Sequence, residues 1–348
     1  MVGCGLMAQL HASSLASLER AGVPIRAVAA ADPDVAARAA TNANWPFDRL
    51  HTDAHAVFGD PEVDAVFICT PTSLHRELYV AAFAAGKHLY AEKPLALNYE
   101  EAKAIAAALP DDLICQVGFQ MRRHALLAEA RSLVHSGDLG PVMAYSLRDD
   151  QAFPTTAFDP HVSEWRSQQA NAGGGTLLEH SIHGIDIAHW IFGPPVSVTA
   201  KIRHVLGFEV EDTAIVMIEH DSGVSGTLVS VYGGVRGREE SRLEIFCRDG
   251  VIEVTWGVVV ECDENSLRVH RSGETPVEID AGAALDEQLR GLGLAERPFF
   301  LNELADRAFI DSLVMGTPPT PSVDDALIAH AVVDAAYRSA ASGAPVAI

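Results

Sequence analysis

Residues 1–8 of the chain read Met1-Val2-Gly3-Cys4-Gly5-Leu6-Met7-Ala8, and an apolar run from Leu10 to Leu18 follows them. This is a Gly-x-Gly-x-x-Ala pattern at the start of a helix, which is typical of the turn that binds a dinucleotide. We expect Gly3 to form the tight turn and Gly5 to let a pyrophosphate approach the backbone. Leu6 and Met7 then lie at the helix N-terminus, which faces the phosphates.

The acidic residue that such a fold places after its second strand is also present. The β-like run Ile25–Ala31 ends in Asp32, 24 residues after Ala8. A carboxylate at this place accepts hydrogen bonds from the adenosine ribose hydroxyls and repels a 2′-phosphate. The spacing therefore favours NAD as the cofactor over NADP.

The first strand of the predicted sheet is unusually short. Only Met1 and Val2 precede Gly3, whereas a central strand normally runs for about five residues. We therefore expect the native reading frame to begin upstream of Met1.

Residues 1–120 alternate short β-like runs with alanine-rich helical runs, which is typical of βαβ units. We predict an α/β Rossmann-type doubly wound parallel sheet, forming a dinucleotide-binding domain over 1–120. Ligands of such sheets bind at the carboxyl ends of the strands. Polar segments follow three predicted strands there: Thr70-Pro71-Thr72-Ser73-Leu74-His75 after Val63–Cys69, Glu92-Lys93-Pro94 after Lys87–Tyr90, and Phe119-Gln120-Met121-Arg122 after Leu113–Gly118.

A second glycine-rich stretch, Gly173-Gly174-Gly175, precedes a helix-like run that extends to Trp190. Three glycines leave the backbone without Cβ atoms, so another group can approach closely. Glu179 and His183 lie four residues apart and share one face of a continuous helix, and Asp186 continues that face. An acid and an imidazole on a rigid helix beside a glycine opening predict an acid/base site.

The remainder of the second half has mostly β-like runs without intervening helices, which predicts a large, mainly antiparallel open-faced sheet in an α+β domain over 121–348. We expect a long functional loop over 149–172, a mobile segment over 281–298, and Arg123 and His124 on a solvated face. Predicted strands are 142–148, 196–205, 212–220, 224–232, 241–247, 250–255 and 258–262, and predicted helices are 125–136, 299–315 and 323–339.

The composition excludes several classes of protein. The chain has 348 residues and a net charge of −22, which disfavours nucleic acid and anionic membranes as partners. The five cysteines include no CxxC pair, so neither a zinc knuckle nor a disulfide framework is indicated. Glu179, His180 and His183 together lack an evident further ligand, and we predict no metal. No apolar run is long enough to span a membrane and no signal peptide is present, so we expect a cytoplasmic protein.

In combination, these motifs resemble the Gfo/Idh/MocA oxidoreductase family, whose members include glucose–fructose oxidoreductase and inositol dehydrogenase. The resemblance covers essentially the whole chain. The segment Glu92-Lys93-Pro94 is its most specific part, and the Gly3-x-Gly5 turn is its least specific part. The motifs that carry it, in chain order, are Gly3-x-Gly5, Thr70-Pro71…His75, Glu92-Lys93-Pro94, Gly118-Phe119-Gln120-x-Arg122, Trp165-Arg166 and Gly173-Gly174-Gly175…His183-x-x-Asp186.

The resemblance implies roles for individual residues. It implies that Lys93, His183 and Glu179 are catalytic, with Lys93 stabilising a developing alkoxide and His183 transferring a proton. The sequence departs from the family at Glu179, where aspartate is usual, and at Gln120, where many members have asparagine. Three roles for Glu179 stay open: orienting His183, binding a sugar hydroxyl, or capping. The cofactor-binding set is Gly3, Gly5, Leu6, Met7, Asp32, Thr70, Pro71, His75, Glu92, Lys93, Pro94, Gln120, Trp165 and Arg166; the substrate-binding set is Lys93, Gln120, Arg122, Trp165, Glu179, His180 and His183.

The expected function is hydride transfer between NAD and a sugar, cyclic polyol or sugar derivative. We expect a homo-oligomer, a dimer or tetramer, whose subunits pair through the C-terminal sheet. Two alternatives of other classes stay open. One is a non-catalytic NAD-binding regulator of sugar metabolism, and the other is an NAD-assisted glycoside hydrolase. The sequence leaves the substrate, its stereochemistry and the direction of the reaction undetermined.

Overall fold

The computed structural model describes residues 1–152, 164–233, 241–257, 265–291, 293 and 301–348. The chain forms two compact units. The first contains Met1–Gln120 and Asn302–Leu327, and the second contains Met121–Leu301 and Ile328–Ile348.

The first unit has a Rossmann-type parallel sheet, as predicted. Two parallel ladders, β1–β2 and β3–β4–β5, are joined by Val2, which bridges to Ala31 on one side and Ile68 on the other. If Val2 counts as the first position, the order is that of a doubly wound dinucleotide-binding sheet. The elements of this part are α1 Leu6–Arg20, β1 Ala29–Ala31, α2 Val35–Asn44, β2 Arg49–His51, α3 Ala54–Phe58, β3 Ala65–Ile68, α4 His75–Ala84, β4 His88–Ala91, α5 Tyr99–Ala108 and β5 Cys115–Val117.

The strands of this sheet are shorter than the sequence predicts. The run Ile25–Ala31 contributes only β1, Ala29–Ala31, because its partner β2 spans only Arg49–His51 and the ladder therefore has three residue pairs. All three alanines of β1 are buried. Short, small-residue strands leave room for helices to pack closely on the sheet.

The first unit also includes a late part of the chain, which lies within the range 121–348 predicted as the second domain. Residues 302–327 return to the first unit, where α10 (Asn302–Met315) packs on α1. Phe309 contacts the stacked rings of Phe67 and Tyr90 edge-on, with ring centroids 5.5 and 5.7 Å away. These contacts join residues more than 200 positions apart, so local patterns in the sequence do not reveal them.

The second unit is built on a nine-stranded sheet of order β13-β12-β11-β10-β6-β9-β8-β7-β14. Its ladders are antiparallel except for β6–β9, so the predicted mainly antiparallel sheet is confirmed. Its elements are α6 Ala125–Ser136, β6 Val142–Ala152, α7 Gln169–Ala172, α8 Ile182–Phe192, β7 Pro195–Arg203, β8 Thr213–His220, β9 Ser225–Gly233, β10 Ser241–Cys247, β11 Gly250–Trp256, β12 Ser266–Arg271, β13 Val277–Ile279, α9 Ala281–Gly291 and β14 Val346–Ala347; α11, Val323–Ser342, begins in the first unit and ends here.

One face of this sheet carries α8. A Cβ atom on Gly184 would lie 2.9 Å from Leu147 Cδ2, so the absence of a side chain lets α8 approach β6 closely. The other face is open along β8, where Ala214, Val216 and Ile218 are buried whereas Ile215 and Met217 are 50% and 41% exposed.

Three predictions for the second half need adjustment. The segment 281–298 is predicted to be mobile, but its first part is the helix α9, which packs on α6 and in which Leu285 and Leu289 are buried. Strands β12 and β13 have no counterpart in the prediction. Three predicted segments lie outside the described residues: the strand 258–262, residues 153–163 of the loop 149–172, and the first two residues, Phe299 and Phe300, of the helix 299–315. His124 was expected on a solvated face, but its side chain is only 5% exposed.

Among the helices that the structure describes, none combines the length and the apolar character needed to cross a membrane.

Candidate active site

The two glycines of the first turn differ in what surrounds them. Gly3 has a φ of +78°, and a Cβ there would lie 2.6 Å from the carbonyl oxygen of Cys69, so the fold itself requires glycine. A Cβ on Gly5 would have no described atom within 4 Å. Gly5 caps α1 without a side-chain hydrogen bond, and Leu6 is exposed and Met7 half-buried in the first turn. Open space before bare helix amides fits a pyrophosphate.

Asp32 lies directly after β1 and is held in a fixed orientation. Its Oδ2 accepts a hydrogen bond from the backbone N–H of Cys4 at 2.8 Å, and its Oδ1 accepts one from Asp34 at 2.8 Å. Each carboxylate oxygen retains a second lone pair. The carboxylate can therefore still accept hydrogen bonds from ribose hydroxyls, as the NAD prediction requires.

Two polar atoms at the carboxyl ends of the strands are buried without a hydrogen-bond partner in the described parts of the chain. They are Oγ1 of Thr70, after β3, and Oε1 of Gln120, after β5. Buried polar atoms are almost always paired. Both residues belong to the predicted cofactor-binding set, so their orphaned atoms fit a bound dinucleotide.

His75 ties two of the predicted cofactor loops together. Its Nδ1 lies 2.9 Å from the carbonyl oxygen of Pro94, and its Nε2 lies 3.0 Å from that of Thr70. Burial lowers the pKa of His75. The neutral imidazole lies between the Thr70 and Pro94 carbonyl groups and donates its single N–H to one of them, and its direct contact with cofactor stays a prediction.

Glu92 is buried inside the first unit beside Lys93 and Pro94. Its Oε1 lies 3.0 Å from His11 Nε2, its Oε2 accepts the backbone N–H of Lys93 at 3.2 Å, and a Cβ on Gly118 would lie 3.0 Å from Oε1. The Lys93–Pro94 peptide bond is cis, and Lys93 itself is half-buried. Glu92 therefore holds the backbone that presents the Lys93 ammonium group.

In the second unit, other residues of the protein fill the space beside Gly174 and Gly175. Cβ atoms on Gly174 and Gly175 would collide with the Tyr337 hydroxyl and with the carbonyl oxygen of Glu211. The Glu211 carboxylate accepts hydrogen bonds from the backbone N–H groups of Gly175 at 2.7 Å and Leu177 at 3.0 Å. The sequence correctly predicts a close approach at Gly174 and Gly175, but what approaches is Glu211 and Tyr337.

The continuous helix predicted after these glycines is interrupted. Residues Thr176–His180 form a π-turn, closed by a hydrogen bond of 2.8 Å from the Ser181 N–H to the Thr176 carbonyl, and α8 starts at Ile182. Glu179 and His183 would share a face only if uniform α-helical steps joined them, so the shared face predicted for them does not hold across this junction. Turns of this kind are frequent at functional sites.

Three of the predicted site residues of this unit form one cluster. Arg166 Nε lies 3.5 Å from Glu179 Oε2, and the Arg166 guanidinium lies 4.4 Å from the centre of the Trp165 ring. Glu179 is 3% exposed, whereas Trp165 and Arg166 are half-buried. An aromatic face beside a charged, hydrogen-bonding pair suits a polyhydroxylated ligand.

His180 has a carboxylate partner that the sequence does not indicate. Its Nε2 lies 3.2 Å from Asp149 Oδ1, which also accepts a hydrogen bond of 2.6 Å from Ser241. Burial raises the pKa of Asp149, but His180 and the hydroxyls of Ser241 and Ser181 outweigh it and lower the pKa to about 2. Asp149 therefore stays ionised beside the His180 imidazole.

His183 lies in the first turn of α8 and is half-buried. Asp186, three residues later, forms a buried ion pair with Arg122. Arg122 was predicted to bind substrate; the ion pair favours an anchoring role, and a substrate contact stays a prediction. Within the described ranges, no three His, Cys, Asp or Glu side chains are grouped to hold a metal ion.

Two protein-family models match the chain, one over each half. The model described as an oxidoreductase family with an NAD-binding Rossmann fold matches residues 1–119, and that described as the GFO/IDH/MocA C-terminal domain matches residues 127–253. The chain belongs to the Gfo/Idh/MocA family. Its first unit is therefore an NAD-binding Rossmann domain.

Individual relatives agree with this assignment. A levoglucosan dehydrogenase from Pseudarthrobacter phenanthrenivorans is 33% identical over 58% of this chain, and the match spans about half (53%) of that protein. The scyllo-inositol 2-dehydrogenase (NAD(+)) from Bacillus subtilis is 29% identical over 72% of each chain. A solved levoglucosan dehydrogenase in complex with NADH has a TM-score of 0.86 at 24% identity, with 100% of this chain and 97% of that chain covered, which shows a shared fold.

Proposed function

We propose that this member of the Gfo/Idh/MocA family is an NAD-dependent dehydrogenase or reductase that acts on a secondary alcohol of a sugar or cyclic polyol. The observation that carries the proposal is Lys93, whose backbone N–H is held by the buried Glu92 carboxylate at 3.2 Å after a strand of the NAD-binding sheet. The relatives named above are a levoglucosan dehydrogenase and a scyllo-inositol 2-dehydrogenase, which supports this substrate class.

Residues of the first unit hold the cofactor in this proposal. Gly5 and the α1 amides receive the pyrophosphate, and Asp32 receives the ribose hydroxyls. Thr70 and Gln120 supply the buried oxygens for which the described residues offer no hydrogen-bond partner. When bound, NAD accepts or donates the hydride. The remaining task for the protein is to position the alcohol and move its proton.

Lys93 and His183 carry proton transfer in this proposal. As the alcohol is oxidised, its hydroxyl proton leaves to the His183 imidazole, and the Lys93 ammonium stabilises the negative charge on the oxygen. In the reverse direction His183 returns the proton. A neutral imidazole suits this exchange because histidine titrates near neutral pH.

Further side chains of the second unit contact the substrate in this proposal. Glu179, with its carboxylate held near Arg166, accepts a hydrogen bond from a sugar hydroxyl, and Trp165 offers an apolar ring face. His180, which lies beside the Asp149 carboxylate, donates or accepts a further hydrogen bond.

We also infer that the protein is a cytoplasmic homo-oligomer. The exposed apolar side chains Ile215 and Met217 lie on the open face of the nine-stranded sheet, and exposed apolar faces of this kind commonly bury themselves against another subunit. The free thiols of Cys4, Cys69, Cys115 and Cys247 are compatible with a reducing compartment.

The test is a substrate panel of inositols, levoglucosan, common aldoses and simple glycosides, each incubated with the protein and NAD+ or NADP+. The expected result is NADH formation with at least one polyol or sugar. Release of free sugar from a glycoside without net NADH would instead indicate a hydrolase. NADH binding without turnover on any member of the panel would indicate a regulator.

A further inference from the structure

A buried chain of ionisable groups in the first unit leads to the Lys93 backbone. It starts at Asp306 on α10, whose Oδ1 lies 2.7 Å from His11 Nδ1. His11 Nε2 lies 3.0 Å from Glu92 Oε1, and Glu92 Oε2 accepts the N–H of Lys93. His11, Glu92 and Asp306 are 0%, 4% and 0% exposed. One imidazole therefore connects α1 and α10 to the residue before Lys93.

Two of the three partners of His11 are carboxylates, and these set its protonation; the third is the Asn302 side-chain amide, 3.4 Å from Nε2. Ionised carboxylates only accept hydrogen bonds, so an imidazole between two of them must donate from both ring nitrogens. His11 is therefore an imidazolium. Burial lowers the pKa of His11, but Asp306 and Glu92 outweigh it and raise the pKa to about 10. Ser14 completes the cluster by donating to Asp306 Oδ2 at 2.5 Å.

The dinucleotide turn is held by hydrogen bonds that do not involve His11. The backbone N–H of Cys4 donates to Asp32, and the Thr41 hydroxyl donates to the Cys4 carbonyl oxygen at 3.0 Å. Neither contact passes through His11. Loss of the His11 bridge should therefore disturb Glu92 and Lys93 more than the pyrophosphate-binding turn.

We propose that His11 and Asp306 are positioning residues that, by clamping the Glu92 carboxylate, set the placement of the Lys93 ammonium group. The inference rests on the proposed function, because Lys93 is the group through which they act. A charged imidazole suits the task because its two N–H groups point in opposite directions and join carboxylates on separate elements. A side chain with a single donor keeps only one of these two contacts.

The composition of the chain makes the Lys93 environment directly observable. There are only four lysines, Lys87, Lys93, Lys103 and Lys201. Reductive methylation with 13C-formaldehyde gives each lysine a methyl NMR signal, which the Lys93→Arg variant assigns. We expect His11→Gln to shift the Lys93 signal and leave those of Lys103 and Lys201 in place.

Kinetics of the unmethylated protein separate positioning from a general loss of structure. We expect His11→Gln to lower kcat at least tenfold while the Kd for NADH changes less than threefold. Ser17→Ala is the matched control, because Ser17 also joins α1 to α10, through Glu303 at 3.1 Å, but does not contact Glu92. Asp306→Asn retains an acceptor for His11 and should show a smaller effect of the same kind; it replaces His11→Gln if that variant does not fold.

The outcomes distinguish this inference from the proposed function. A Lys93 signal that is unchanged in a folded His11→Gln or Asp306→Asn variant overturns the positioning role. So does an equal loss of kcat in Ser17→Ala. A shifted Lys93 signal with unchanged kcat supports the positioning role of His11 and Asp306. That result would count against the proposed function, because it would show that Lys93 is not catalytic.

Discussion

Arg122 and Asp186 form a two-point ion pair, with Nε 2.8 Å from Oδ2 and Nη2 2.6 Å from Oδ1. Both side chains are buried, at 8% and 1% exposure. The pair fastens α8, which carries His183, to the segment that opens the second unit. Removing either partner of a buried ion pair leaves the other charge uncompensated, which strongly destabilises the folded state.

Asp186→Asn should therefore lower the free energy of unfolding by about 3 kcal/mol, because it leaves the Arg122 charge buried without its counter-ion. Urea unfolding followed by circular dichroism measures the change. The double variant Arg122→Leu with Asp186→Leu removes both charges and should recover most of the loss. A double variant less stable than Asp186→Asn would contradict this account.

Gly174→Ala should destabilise the protein by about 2 kcal/mol, since the new Cβ would collide with the Tyr337 hydroxyl. The same substitution in a Tyr337→Phe background should be milder, because the colliding oxygen is absent. Thermal unfolding of the two single variants and the double variant measures this coupling. Strictly additive losses would show that Gly174 is required for another reason.

Acid should destabilise the protein through His124. Burial lowers the pKa of His124 to about 4, below the ordinary value of about 6.5. The unfolded chain takes up a proton on this histidine at a higher pH than the folded protein does. The folded state is therefore at its most stable above pH 6.5, and this stability is lost as the pH falls from about 6.5 to and through 4. The loss over that window is about 3 kcal/mol.

The variant His124→Asn tests this sign. His124 caps α6 by accepting from the Leu126 N–H at 3.3 Å, and asparagine retains a capping acceptor without a titrating group. The free energy of unfolding measured at pH 7 and pH 4.5 should fall less in the variant than in the wild type. Equal falls in both proteins would exclude His124 as the source.

Asp32 should set the preference for NAD over NADP. Asp32→Ser removes the charge that repels a 2′-phosphate, so the Kd ratio of NADPH to NADH should fall about tenfold or more. Fluorescence titration with each cofactor measures the ratio. Asp34→Asn is the control, since it retains the cap of α2 and alters a neighbouring charge. An equal fall in both variants would indicate a general charge effect.

The parts of the fold that sequence reasoning predicted depend on local patterns. The helix Ala125–Ser136 and the strand Ser241–Cys247 have the predicted bounds because apolar periodicity and flanking turns are local properties. Gly3 and Asp32 could be predicted because the dinucleotide turn places them at fixed distances along the chain.

The features that were not predicted depend on contacts between distant parts of the chain. His11 and Asp306 are 295 residues apart, and Glu211 meets Leu177 across 34 residues. The one available signal was His11 itself, a histidine inside the first predicted helix. Similarly, α9 was predicted as a mobile polar segment because its apolar residues, Leu285 and Leu289, are few and have a partner only once α6 is in place.

The most direct test of the account compares wild type with Lys93→Met on the best substrate of the panel, with NADH formation and NADH binding measured on the same samples. The account predicts that kcat falls at least a thousandfold in Lys93→Met, whereas the Kd for NADH changes only a few-fold, because Lys93 acts on the developing alkoxide. Turnover within tenfold of wild type would contradict the assignment of Lys93 and remove the basis of the proposed mechanism.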